Sequence, residues 1–310
     1  MTCPWLLAVE EEFAERLRGG RLAHALLLAG PAGTGKGDLA GRLLASVLCL
    51  EGRYPACGAC RSCELLASGA HPDGHALTFE KHPKKDELRT ELVIGQIRSL
   101  TAALQLTSTI SPRKAATIRP AEAMTRSAAN ALLKTLEEPP GDVVLFLVSH
   151  QPGRLPATIR SRCQALDVRL PAHREACEWL ASESGCSSAD ADRALEAAAG
   201  SPLNALRMLE EGGSEAYRAV SEALDDLRTG RRKPPAVMSE MADIEPQLLW
   251  SWLSLRSAGE TRKHLTSPRL ARALAGLQRD ADRNRNLLPT PVRKDLLLQD
   301  WLIQWSRLGE

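Results

Sequence analysis

Apolar positions recur in two rhythms along this chain. In the first half, short continuous apolar runs alternate with segments repeating at helical spacing; after Cys163 only the helical rhythm persists. Residues 128–163 show both. Leu132, Leu133 and Leu136 recur at helical spacing, and Pro139-Pro140 stops that helix because proline has no N–H for the ladder. The run 143–148 is continuously apolar and bounded by turn residues, which suits a strand covered on both faces. Thr158-Ile-Arg-Ser-Arg-Cys163 then sets Arg160 and Arg162 just beyond it. A helix, a buried strand and arginines at its carboxyl end predict one edge of a nucleotide-handling parallel α/β sheet.

The same reading extends in both directions. Residues 21–37 give a strand, a glycine-rich loop and a helix start, with the helix running over about 36–49. A strand is expected within 71–79, a charged surface turn over 81–85, and an amphipathic helix over about 91–106 carrying Leu92, Ile94, Ile97, Leu100, Leu104 and Leu106. Pro171 opens a helix over about 173–183, and 191–199 and 200–209 continue the pattern. Residues 210–214, Glu-Glu-Gly-Gly-Ser, form the best linker. From 215 onward the chain reads as all helical, with Leu248, Leu249, Trp252 and Leu255 at helical spacing and 296–305 closing it. The Trp and Met positions here read as core. Arginines 269, 272, 279, 283, 285 and 293, scattered among acids, read as a solvated or interface face.

Composition changes this picture little. The 310 residues allow two or three domains with real cores, and 44% hydrophobic with 25% charged residues is ordinary for a globular protein. A net charge of +2 leaves nucleic-acid contact to a local patch. Residues 1–12 turn acidic too soon for a signal peptide, and no apolar run approaches the roughly 18 residues of a membrane span, so a cytoplasmic protein is expected. Eight cysteines in a reducing compartment point to metal or free thiols before disulfides.

Two clusters carry chemistry. Gly30, Gly33, Gly35 and Lys36 fit a phosphate-binding loop, in which glycines let backbone N–H groups close on phosphates and the lysine reaches the outer ones. The next position, normally a Ser or Thr whose hydroxyl holds magnesium, is Gly37. The second nucleotide motif, a strand ending in Asp-Glu, would fall on Pro120 and Ala121; a slip of one residue would promote Glu122, but with no Asp beside it. Both losses predict a vestigial loop and no ATP hydrolysis. The other cluster is Cys49, Cys57, Cys60 and Cys63, where two-residue spacings can aim four thiolates at one tetrahedral Zn²⁺. Four protein ligands leave no open position, so that zinc would be structural. Gly58 and Ser62 suit tight turns within it, His71 and His75 read as loop residues, and Cys3, Cys163, Cys177 and Cys186 stand singly.

Together, the phosphate loop, the four-cysteine insertion after its helix, Asn130-Ala-Leu-Leu-Lys-Thr-Leu-Glu-Glu-Pro-Pro140 and Ser161-Arg-Cys163 resemble the clamp-loader subunits of bacterial DNA polymerase III. The damaged nucleotide motifs favour the delta prime branch over the ATP-hydrolysing tau/gamma branch. The resemblance covers about 20–210 strongly and the remainder by pattern only. It implies an AAA+ P-loop domain with a parallel sheet and zinc module (1–168, zinc at about 49–63), a helical lid (169–211) and an all-α collar (212–310). It also implies partners: tau/gamma and delta subunits in a hetero-pentameric ring, with the sliding clamp and primed DNA reached through that complex. Arg162 would be an arginine finger acting in trans on ATP held by the neighbouring tau/gamma subunit, as opposed to an internal ion pair. The family's first sensor falls near Ser149. Its second, an arginine, falls on Leu203, a third loss, with Arg207 one turn later. Two other readings stay open: an active ATPase of tau/gamma type, and a zinc-dependent DNA-binding adaptor unconnected to ATP.

Overall fold

In the computed structural model, which describes residues 3–81, 88–288 and 290–309, the chain divides into two compact units, 1–171 and 172–310. The first unit is built on five parallel strands: β1 (Ala25–Ala29), β2 (Gly74–Leu77), β3 (Lys114–Ile118), β4 (Val143–Ser149) and β5 (Gln164–Asp167), in the order β2-β3-β4-β1-β5. Its helices are α1 (Leu7–Arg18), α2 (Lys36–Leu48), α3 (Arg61–Ala67), α4 (Ile94–Gln105), α5 (Arg126–Glu137) and α6 (Ala157–Arg160). The charged turn expected over 81–85 lies, beyond Lys81, outside the described residues.

The apolar run at 143–148 is the middle of this sheet, not an edge. β4 hydrogen-bonds to β3 on one side and β1 on the other, and all seven of its residues are buried. Alternation explains why the run is continuous. Val143, Leu145 and Leu147 pack with Leu100 and Leu104 of α4 and Leu132 and Leu136 of α5. Phe146 faces the other way, its ring 6.1 Å from that of Phe13 on α1. With both faces covered, every position must be apolar. Thr125 caps α5 by accepting the Ala128 N–H, and α5 stops at Glu137, just before the two prolines.

The second unit is helical: α7 (His173–Ser184), α8 (Ser188–Ala197), α9 (Pro202–Glu210), α10 (Gly213–Arg228), α11 (Pro234–Glu240), α12 (Pro246–Lys263), α13 (Pro268–Leu287) and α14 (Lys294–Ser306). The linker expected at 210–214 contracts to a turn, with Gly212 in the left-handed region at φ +71° and α10 beginning at once. Trp252, Trp301 and Trp305 lie in the core with Met208 and Met241. Trp301 and Trp305 stack at 5.3 Å, and their indole N–H groups donate to the carbonyls of Leu277 and Leu224, both at 2.9 Å. Those two indoles are stable in the core because each polar edge has its acceptor, whereas the Trp252 N–H is buried without one. Among the described residues, no helix is long and apolar enough to cross a membrane.

Candidate functional site

β1 delivers the chain directly into the glycine loop, and Gly35, in the left-handed region at φ +85°, starts α2. Gly30 is required by its neighbour: a Cβ there would stand 1.9 Å from the carbonyl oxygen of Val168. Lys36, the first residue of α2, is buried. Its ammonium donates to the Pro31 carbonyl and, at 3.2 Å, to the Thr34 hydroxyl, so the lysine is tied into its own loop. Burial lowers its pKa to about 8, partly opposed by the negative charge of Glu122.

β3 ends at Ile118, so the two positions immediately after it are Arg119 and Pro120. That is one residue earlier than the register expected from sequence, and neither side chain is a carboxylate. Arg119 has a further effect that sequence spacing did not reveal. A Cβ placed on Gly37 would stand 3.1 Å from the Arg119 guanidinium. Where a hydroxyl would help to hold magnesium, the exposed guanidinium of Arg119 comes near instead. The position lacks a metal ligand, and a cation lies near it, which disfavours a second positive charge there.

Glu122 is brought to the same end of the sheet. One carboxylate oxygen accepts the His150 N–H at 2.9 Å, and the other is buried without a hydrogen-bond partner. Burial, reinforced by the charge of Lys36, lowers the His150 pKa and favours neutral imidazole. Ser149 ends β4; its carbonyl accepts the Gly30 N–H at 3.3 Å, and its hydroxyl is buried without a partner.

Arg162 follows α6 and leads into β5, a strand too short and too polar to read from sequence, with Leu166 its one buried residue. Its guanidinium pairs with Glu137 at 2.6 Å and donates to the Thr158 carbonyl at 3.0 Å. Both partners of the ion pair are substantially exposed, so it is weak and exchangeable, about 0–1 kcal/mol. In the second unit, Leu203 lies in the first turn of α9 and Arg207 is exposed one turn later.

Cys49, Cys57, Cys60 and Cys63 come together, every sulfur within 4.8 Å of the others. The Cys57–Cys63 and Cys60–Cys63 sulfurs are 3.9 and 3.5 Å apart. Zinc–sulfur bonds of about 2.3 Å at tetrahedral angles require sulfurs about 3.8 Å apart, so the nest fits the ion. Backbone N–H groups of Cys57 and Cys60 point at the sulfurs of Cys49 and Cys57, at 3.4 and 3.3 Å. The Cys63 N–H holds Cys60 down to about 6, whereas burial pushes Cys63 up to about 12. Four thiolates this close cannot all ionise without a cation among them.

Gly58 makes the expected turn at φ +75°, but Ser62 lies in α3, buried, donating to the Leu48 carbonyl at 2.7 Å. His71 is a buried loop residue whose Nε2 meets the Ser62 and Ser111 hydroxyls at 2.8 and 3.2 Å. His75 is not in a loop: it sits in β2. Asp73, also missed from sequence, is buried and accepts the N–H groups of Thr109, Ile110 and Ser111 at 2.7, 2.7 and 2.9 Å. These contacts pin the cysteine module to the sheet.

A family model described as DNA polymerase III, delta subunit, matches residues 7–172. Over 303 residues the chain is 36% identical to DNA polymerase III subunit delta' of Pseudomonas aeruginosa, covering 97% of this chain and 89% of that one. The Escherichia coli subunit of the same name is 35% identical over 222 residues, 71% of this chain and 65% of its own length. A DNA polymerase III subunit tau from Salmonella typhimurium is 33% identical over 230 residues, 69% of this chain but 34% of its own.

Proposed function

The chain belongs to the DNA polymerase III subunit delta' family, and from that premise we propose that it is a non-hydrolysing subunit of the clamp loader. In this reading it scaffolds a ring with tau/gamma and delta subunits, through which the sliding clamp and primed DNA are engaged. It supplies Arg162 to ATP on the neighbouring tau/gamma subunit. The observation that carries it is Gly37, which offers magnesium no hydroxyl and whose open side faces the Arg119 guanidinium, 3.1 Å from where a Cβ would stand. Lys36 tied to Pro31 and Thr34, the absence of a carboxylate pair after β3, and Leu203 in place of the second sensor all support the same reading.

Catalysis in such a ring divides between subunits. A guanidinium is permanently cationic and planar, so it can hold phosphate oxygens and offset the charge that shifts during phosphoryl transfer. Arg162 is suited to this because it is half-exposed and held only by a weak pair. The cysteine set would hold a structural zinc, which contributes folding energy and no reaction step. Residues 169–211 would serve as the lid and 212–310 as the ring-forming collar.

The test has two arms. The purified chain with Mg²⁺ and ATP should release no phosphate, and Arg162→Ala in the reconstituted complex should slow turnover at the adjoining site by about 10³-fold or more. Unchanged turnover by the complex would remove the finger. Phosphate release by the chain alone that disappears with Lys36→Ala would instead make it a motor subunit of tau/gamma type.

A further inference from the structure

Cys177 does not stand singly. It lies on α7 four residues after His173, which places both side chains on one face of the helix. α8 packs alongside and presents Asp192 to the same point. The His173 Nε2 is 2.5 Å from the Asp192 carboxylate and 3.5 Å from the Cys177 sulfur, and that sulfur is 3.9 Å from the same carboxylate oxygen. All three donor atoms thus fall within 4.8 Å of one another.

These are nitrogen, sulfur and oxygen donors converging from two helices of one hairpin. Zinc bonds of about 2.0–2.3 Å at tetrahedral angles set ligand atoms about 3.3–3.6 Å apart. The nitrogen–sulfur separation already meets that, the sulfur–oxygen pair is slightly long, and the nitrogen–oxygen pair, now a hydrogen bond, must open by roughly 1 Å. His173 and Asp192 are 60% and 65% exposed, so their side chains can move that far without disturbing the core. They also line a cleft of 480 Å³ with Glu196 and Arg262, which leaves the site open to incoming ions.

We propose that His173, Cys177 and Asp192 form a second zinc site, separate from the four-cysteine module, that staples α7 to α8. The chemistry selects the ion: imidazole and thiolate suit a borderline-soft cation such as Zn²⁺ and disfavour Mg²⁺ or Ca²⁺, which take oxygen. Three protein ligands leave the fourth position to water. A metal here would replace a solvent-exposed hydrogen bond of little worth with coordinate bonds spanning residues 173 to 192.

Reduced full-length protein, loaded with Zn²⁺ and freed of excess by gel filtration, should hold two zinc ions per chain by elemental analysis. His173→Ala and Cys177→Ala, both at sites that are not in the core, should each hold one. Loaded with Co²⁺ instead, the wild type should lose one equivalent of cobalt absorbance in either variant while the four-thiolate spectrum persists. Mg²⁺ should not compete. A wild type that holds a single zinc, or a second equivalent that survives in both variants, would overturn the site.

Discussion

At Gly30 the backbone runs so close to the Val168 carbonyl that a single methyl group would overlap it, and φ of +151° adds strain for any L side chain. A glycine at this position is therefore required by packing alone, whether or not phosphate binds. Gly30→Ala should destabilise the first unit by about 3 kcal/mol or more, because backbone cannot yield as a side chain can. Urea denaturation would measure it, and a loss below about 1 kcal/mol would refute the packing account. Lys36 makes the opposite case. Its folded pKa of about 8 lies below the unfolded value of 10.5, so the folded chain binds fewer protons between those limits. Wild-type stability from this source rises as pH climbs from about 8 to 10.5, and below 8 the charged lysine carries its full cost, on the order of 3 kcal/mol. Two hydrogen bonds of about 1 kcal/mol each offset part of that. Lys36→Met should be at least as stable as wild type at pH 7, with the difference shrinking toward pH 10; a variant about 2 kcal/mol weaker at pH 7 would contradict this.

At the scale of elements, the cysteine module is held from two sides. One is the sulfur nest itself; the other is the buried network in which Ser62 and Ser111 both donate to the Leu48 carbonyl at 2.7 Å and meet His71. Asp73 completes it. Burial alone would raise its pKa, but three backbone N–H groups and Lys114 outweigh that and lower it, so this anchor is lost only in acid, below the usual carboxylate range. Cys60→Ala should therefore remove the zinc of this module and unfold 49–63 locally, leaving the sheet intact, since the cluster around α4, α5 and β4 contains none of its cysteines. Proteolysis should open near Cys60 while far-ultraviolet dichroism changes little. Undiminished protection in the zinc-free variant would show that the network alone suffices.

For the whole molecule, the proposed function has Arg162 act on nucleotide held by a neighbour while the chain's own loop turns over none. Arg162 lies on the same unit as that loop yet points to its own surface partner, Glu137. The two roles are separable by charge. Glu137→Ala releases the guanidinium at a stability cost of about 0–1 kcal/mol, so turnover by the reconstituted complex should stay within about twofold of wild type. Arg162→Ala should collapse it at the adjoining site. Equal losses in both variants would mean that the pair, and not the free arginine, matters. The helical unit is held together differently, by stacked tryptophans and by the buried Glu260, paired with Arg228 at 2.8 Å and Lys263 at 3.0 Å; in the proposed function this unit would hold the subunit in a ring.

Periodicity and spacing alone determined much of this protein. The buried run at 143–148, the helix halted by Pro139-Pro140, the glycine loop between strand and helix, and the converging cysteines were all local patterns, each enforced within a few residues. The loss at Gly37 was equally plain, because a missing hydroxyl is visible in the residue itself. Tertiary structure decided what depends on distant neighbours. It made β4 the centre of the sheet, since strand order follows crossovers and not chain order. It set the residues after β3 one position earlier, because a strand ends where its partner's hydrogen bonds end. It placed His75 in β2 and Ser62 in a helix, where the sequence suggested loop and turn. And it brought Arg119 to Gly37, Glu137 to Arg162, and His173 and Cys177 to Asp192. Those meetings join residues up to 82 positions apart, and no local period encodes which of many exposed charges will face one another once the backbone is folded.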